Sequence, residues 1–288
     1  MPNKGTPLTR NRLLRGLFFF VGIALFYAPF AFVYRAFGAL FPGTYAANSI
    51  VDVHTACMRM PVGWLAQPWM YSSLTTNALY FVPILVLPLA AVAASPLFCG
   101  WLCPAGAFPE FLSRLVPDRF KFDLHGKVPI VPLRYGFFVG LLLAPFVTTS
   151  ICCSYCNFTQ MQNIASFVTG NTAPLLFIGT TGVVAMALWL VVLGLFMKGG
   201  RGWCMLLCPA GALMSLASGV TSRFRRLPRV RHDAEVCGSC GSCEELCPVR
   251  AIDAGDDGDL RVGQYLCNGC MDCVKACPSG ALRYGSER

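Results

Sequence analysis

The chain has 288 residues, 55% of them hydrophobic and only 13% charged, a balance that excludes an ordinary soluble globular enzyme and points to a membrane protein. The formal charge of +9 comes without runs of like charge. The basic residues gather beside apolar stretches, which excludes a nucleic-acid footprint and makes anionic lipid head groups the expected counter-charge. Up to Met197 the only acids are Asp52, Glu110, Asp118 and Asp123, and the rest follow Gly200, so a membrane part precedes a soluble part.

Taken in order, the chain opens with Lys4, Arg10, Arg12 and Arg15 and then runs uncharged from Gly16 to Tyr34. No clean A-x-A site ends that stretch, so it reads as an uncleaved span rather than a signal peptide. Uncharged stretches follow at Leu74 to Phe98, at Tyr135 to Ser150 with an extension toward Cys153, and at Pro174 to Met197. At 1.5 Å per residue each can cross about 30 Å of hydrocarbon. The expected fold class is an all-α membrane domain of four transmembrane helices over residues 1–212, arranged as two hairpins in parallel repeat. An interfacial helix and linker follow at 213–232, and a small α+β domain at 233–288, whose kind is set by its cysteine runs. Trp64, Trp69 and Tyr71 read as an interfacial aromatic belt.

Lys and Arg near the span ends set the orientation. One side receives the N-terminus, the Cys99 to Arg134 connection and the tail, with 21 of the 23 basic residues, and the other receives only Arg35 and Arg59. The N-terminus and tail are therefore expected in the cytoplasm of a bacterial inner-membrane protein, where reduced thiolates survive as metal ligands.

Sixteen cysteines fall into three groups, and the absence of C-x-x-C-H excludes covalent c-type haem. In the tail, Cys237, Cys240, Cys243, Cys247 and Pro248, then Cys267, Cys270, Cys273, Cys277 and Pro278, each spell C-x2-C-x2-C-x3-C-P. This run holds [4Fe-4S] clusters in bacterial ferredoxins, with the fourth cysteine ligating the other cluster. That rule assigns Cys237, Cys240, Cys243 and Cys277 to one cluster and Cys267, Cys270, Cys273 and Cys247 to a second; a pair of zinc sites is the alternative. Cys99–Ala107 and Cys204–Ala212 both read C-x3-C-P-A-G-A. If each pair lies at i and i+4 of a helix, Cys99, Cys103, Cys204 and Cys208 form a rim site for a metal or cluster. The third group, Cys57, Cys152, Cys153 and Cys156, falls on the outer side, where disulfides or a redox centre are expected. His54, near Asp52 and Cys57, is a candidate proton acceptor from quinol.

The two C-x3-C-P motifs, the four spans and the C-terminal dicluster run together resemble the ferredoxin-type membrane proteins of the NapH and MauN kind, and the membrane core of NosR. The resemblance covers nearly the whole chain. It implies two [4Fe-4S] clusters on the eight tail cysteines and electron transfer between the quinone pool and a periplasmic redox enzyme system, by way of other electron-transfer subunits. On that reading the protein is primarily an electron carrier, and any catalytic role is as a component of a quinol dehydrogenase. Cys152, Cys153 and Cys156 depart from the nitrate-reductase type. They leave open a redox maturation or assembly factor for a periplasmic metalloenzyme or quinoprotein.

Overall fold

The first helix, Pro7–Phe26, opens on a proline, which suits a helix start because the missing N–H has no intrahelical partner there. It begins well ahead of Gly16 and carries Arg10, Arg12 and Arg15 within the helix. The computed structural model describes residues 7–27, 30–40, 59–72, 81–147, 156–170, 179–224, 226–255 and 260–286, and these are mostly helical. Among them one helix, Ile130–Val147, is long and apolar enough to cross a bilayer, while Pro83–Ala94 and Thr180–Leu195 are shorter apolar helices. Wide i→i+5 turns open the first of these at Val82–Val86 and run through the second at Ala187–Leu195. Such turns recur at functional sites.

The C-terminal module is α+β. Strands β1 (Arg229–His232), β2 (Ile252–Ala254), β3 (Leu260–Val262) and β4 (Leu282–Gly285) form two antiparallel pairs. In one pair Arg229 of β1 lies opposite Gly285 of β4, and in the other Ile252 of β2 lies opposite Val262 of β3. Short helices Ser242–Leu246 and Asp272–Ala276 each follow a cysteine loop. The module caps the end of helix Leu87–Ala94. Arg229 Nη2 donates to Val92 O at 2.8 Å and Tyr284 Oη to Ala94 O at 2.7 Å, satisfying carbonyls that a helix terminus leaves without partners. On its far side Arg250 reaches Asp123 at 2.8 Å, and His125 Nε2 lies 3.4 Å from both Glu244 and Asp253, so the connection before Ile130 grips the module as well.

A buried ion network joins the two parts. Arg15 bonds Glu110 at 2.6 Å and Asp272 at 2.8 Å, and all three side chains are about 1–2% exposed. Glu110 also receives Arg114 at 2.6 Å and Arg201. Asn11 adds a 2.6 Å bond to Asp272 and another at 3.1 Å to Cys270 O. The basic start thus docks the module as well as marking a side.

Trp64 is buried, whereas Trp69 and Tyr71 are exposed and Trp69 meets Phe146 edge-on at 5.2 Å. Trp64 therefore leaves the expected aromatic belt, because the helix Met60–Trp64 turns it inward.

Burial alone would raise the Glu110 carboxyl, but Arg15, Arg201 and Arg114 hold it at about 2. A depressed folded value contributes stability that is present above the ordinary carboxylate range and is lost as pH falls toward 2. Glu110→Ala strands buried guanidinium groups and is expected to cost about 3–5 kcal/mol. Thermal unfolding of the detergent-solubilised protein at pH 7 and pH 3 checks both statements: the variant melts well below the wild type at pH 7, and the gap narrows in acid.

Candidate functional site

Each tail cysteine loop is bent by residues in the left-handed region. These are Ser239 (φ 47°) and Gly241 (φ 70°) in the first loop, and Gly269 (φ 68°) and Met271 (φ 62°) in the second. Such bends turn successive backbone N–H groups toward one centre, as an anionic metal–sulfur group requires. The structure brings Cys247 into the electrostatic neighbourhood of Cys267, Cys270 and Cys273. It likewise places Cys277 beside Cys240 and Cys243. Each run therefore sends its fourth cysteine to the other set. Four-sulfur donor sets in left-handed loops fit a cubane. The side-chain Nδ2 of Asn268, next to Cys267, is a buried donor without a partner among the described residues, as a site for an acceptor-rich cluster would leave it.

The two sets differ in exposure. Cys247, Cys267, Cys270 and Cys273 are all buried, while in the other set Cys243 is buried, Cys237 and Cys277 are half-buried and Cys240 is exposed. Burial pushes Cys247 and Cys267 up to about 11 and Cys270 up to about 12. Hydrogen bonds from the backbone and side chain of Ser242 lower Cys240. Cys277 is lowered too: burial works against its charged form, but bonds from Ser279, Leu282 and Ala281 outweigh it.

The two C-P-A-G-A motifs share one backbone design. Cys103 N bonds Phe98 O at 2.9 Å and Cys208 N bonds Trp203 O at 3.1 Å, both wide i→i+5 closures. The cysteines of each motif are therefore paired by a wide turn rather than by the regular i, i+4 helix face expected from spacing. Cys103 and Cys208 then cap the helices Pro104–Ser113 and Pro209–Thr221, with Pro at the first position of each. Gly211 N donates to Cys208 Sγ at 3.3 Å. The four thiols converge: Cys103, Cys204 and Cys208 all lie within electrostatic reach of Cys99. A Cβ built on Gly106 would sit 3.1 Å from Cys204 Sγ and 3.2 Å from Arg201 Nη1, and one on Gly211 would sit 3.0 Å from Arg134 Nη2. Arg201 Nη2 is buried without a partner among the described residues. The four sulfurs are not drawn together tightly enough to hold a single metal ion, since no three of them lie within 4.8 Å of one another; with the orphaned guanidinium donor they fit a larger anionic iron–sulfur group.

This cage abuts the buried tail set. Trp101, between Cys99 and Cys103, donates Nε1–H to Gly269 O at 3.0 Å, and Arg15 Nε donates to Gly100 O at 3.0 Å. At Gly100 the chains approach so closely that a Cβ would lie 2.5 Å from Asn268 O and 2.9 Å from Cys270 N.

Of the group expected on the outer side, Cys57, Cys152 and Cys153, together with His54, lie outside the described residues. Cys156 is buried and within 3.3 Å of Arg59, and Cys103, Cys204 and Cys208 lie within electrostatic range of Arg59. Cys156 and Arg59 therefore sit at the cage rather than on a separate face, because the segments Arg59–Trp64 and Cys156–Val168 fold back onto the C-P-A-G-A helices. Asn157 Nδ2 bonds Ala105 O at 3.3 Å, which fixes that return. Arg15, Glu110, Asp272, Arg59 and Arg201 are the residues that sequence reasoning missed. The rarity of acids before Met197 was the available signal for Glu110.

The fold and its two thiol sets define an iron–sulfur electron-transfer protein. A 4Fe-4S dicluster domain family matches residues 236–282, and a 4Fe-4S binding domain family matches residues 76–123 and 181–228, which hold the two C-P-A-G-A motifs. The chain is 27% identical to the ferredoxin-type protein NapH of Escherichia coli over 57% of its own length and 52% of that protein's. It is 26% identical to the regulatory protein NosR of Stutzerimonas stutzeri over 76% of the chain and 29% of NosR. It is 29% identical to the methylamine utilization ferredoxin-type protein MauN of Methylorubrum extorquens over 52% of the chain and 46% of MauN. The chain thus spans about half or less of the length of these three relatives. No solved structure matches it. The chain is related to the ferredoxin-type proteins NapH and MauN over about half of its length.

Because the thiolate is the nucleophile, alkylation of metal-stripped protein is expected to modify Cys240 and Cys277 first as pH rises from 6 to 9. Cys247, Cys267 and Cys270 follow only in stronger alkali, and peptide mass spectrometry gives the order. Gly100→Val is expected to unseat the second cysteine loop, read as loss of the iron held by that set while the exposed set keeps its own.

Proposed function

We propose that the chain is a multi-pass inner-membrane electron carrier whose cytoplasmic ferredoxin module exchanges electrons with the quinone pool, and through partner subunits with a redox protein on the periplasmic side. The observation that carries this reading is the seat of the Cys267–Cys270 loop on Gly100 and Trp101, which sets the buried tail site directly against the four-thiol cage. Cys237, Cys240, Cys243 and Cys277 hold one [4Fe-4S] cluster and Cys267, Cys270, Cys273 and Cys247 the other. When bound, these clusters supply one-electron carriers. The chain's own part is to order them. Cys240 opens the outer site to soluble partners, while burial of the inner set excludes water and faces it to the membrane part. Trp101 and Gly100 hold the inner loop against Cys99 and Cys103. The four basic-flanked spans and the cytoplasmic tail follow from the charge distribution, and the cage supplies a first step toward the far side of about 30 Å of hydrocarbon.

The test is anaerobic. Dithionite-reduced holoprotein in nanodiscs is mixed with a short-chain quinone, and reoxidation of its visible absorbance is expected; no reaction overturns the quinone link. Cys240→Ser is expected to lower iron by about four atoms per chain with the protein still in the membrane fraction, and an unchanged iron count contradicts the ligand set.

A further inference from the structure

Three separate stretches of the chain bring metal-ligating side chains together at the seam where the ferredoxin module meets the connection ahead of Ile130. His125 comes from that connection, Glu244 from the helix Ser242–Leu246 and Asp253 from β2. One ligand atom of each lies within 4.8 Å of those of the other two. His125 Nε2 stands 3.4 Å from Glu244 Oε1 and 3.4 Å from Asp253 Oδ1. That is long for an N–H···O hydrogen bond, which closes at about 2.7–3.2 Å. It is the spacing of neighbouring donor atoms around a tetrahedral ion: at about 2.0–2.1 Å from the metal, two such atoms stand about 3.3–3.4 Å apart.

The charge balance favours a cation as well. Among the described residues neither Glu244 nor Asp253 has a Lys or Arg in ion-pair contact, and His125 is the basic group that each of them meets. One imidazole against two carboxylates leaves net negative charge in either protonation state of the ring. The basic groups nearby are committed elsewhere: Arg250 Nη2 bonds Asp123 at 2.8 Å while its Nη1 takes the backbone carbonyl of Glu244, and Lys198 Nζ lies 3.8 Å from Asp123. Asp123 in turn accepts from the His125 backbone N–H at 3.0 Å, which fixes the point from which the imidazole extends. Asp253 is 74% exposed and His125 19%, so an ion reaches the site from solvent by way of Asp253. We propose that His125, Glu244 and Asp253 form a site for one first-row divalent cation, which clamps the ferredoxin module to the connection ahead of Ile130. One imidazole nitrogen and two carboxylate oxygens suit zinc or a neighbouring ion of that row, with water completing the shell. The site is separate from both thiol sets and from the electron-carrier reading, since no electron passes through the ion.

The experiment is uptake of zinc by full-length holoprotein, with iron counted in parallel. The wild type is expected to bind one more zinc per chain than His125→Ala while iron is equal in the two, and zinc-edge X-ray absorption is expected to show nitrogen and oxygen neighbours without sulfur. Asp253→Asn, at an exposed position, weakens the affinity about tenfold or more. Zinc also slows amide hydrogen exchange over residues 122–128 in the wild type and leaves it unchanged in His125→Ala. Equal uptake by the wild type and His125→Ala, adventitious zinc only, overturns the proposal, and so does sulfur in the shell of the bound ion. Bound zinc that leaves exchange over 122–128 unmoved overturns the clamp. Should His125→Ala lose iron or fail to accumulate, wild-type zinc affinity in Asp253→Asn overturns the site equally.

Discussion

Two carboxylates buried in a field of guanidinium groups hold this protein together. Glu110 and Asp272 lie on helices of the helical N-terminal part and of the ferredoxin module respectively, and Arg15 on the first helix bonds both. Arg201 and Arg114 complete the set around Glu110, while Arg12 lies 3.7 Å from Asp272. Buried ion pairs of this kind add little over a well-packed apolar contact, yet breaking one partner is costly, so their value is in register. Here the register relates the first helix, the first C-P-A-G-A helix, the segment leading to the second motif and the helix after Cys270. Guanidinium groups outnumber carboxylates in the network, and Arg15 is within electrostatic reach of Cys270. The excess positive charge is thus aimed at the sulfur of the inner tail site.

That register has a functional consequence. With the Cys267–Cys270 loop fixed on Gly100 and Trp101, the inner tail site and the four-thiol cage share a wall made of backbone and one indole. Flexible tethering would have left their separation variable, and electron transfer is steeply sensitive to separation. The outer site, with Cys240 in solvent, is built for a different neighbour. The asymmetry between two sequence-similar cysteine runs comes entirely from where the module is docked.

The surroundings of the cage follow the same electrostatic logic by other means. Wide turns end at Cys103 and Cys208, and the prolines after them start new helices whose positive ends point back at the sulfur. Arg134 bonds Tyr265 O at 3.2 Å and lies close to the second motif, linking the cage to the chain just ahead of Cys267.

What the sequence determined by itself was the local chemistry. The eight tail cysteines and the two C-P-A-G-A motifs are legible because ligand spacing, left-handed glycine turns and proline helix starts are properties of a few consecutive residues. The apolar stretches were legible for the same reason, although hydropathy marked where helices lie and missed their wide turns at Val82–Val86 and Ala187–Leu195. Only the tertiary structure decided that Cys156 and Arg59, 97 positions apart, meet at the cage. It also decided that Asn11, Arg12 and Arg15 of the basic start serve as a docking strap. Counting charges sorts residues by side of a membrane and says nothing of depth, so segments that fold back into the body are invisible to it. Contacts between distant segments are set by packing and by the pairing of buried charge, and neither is written in any single window of the chain.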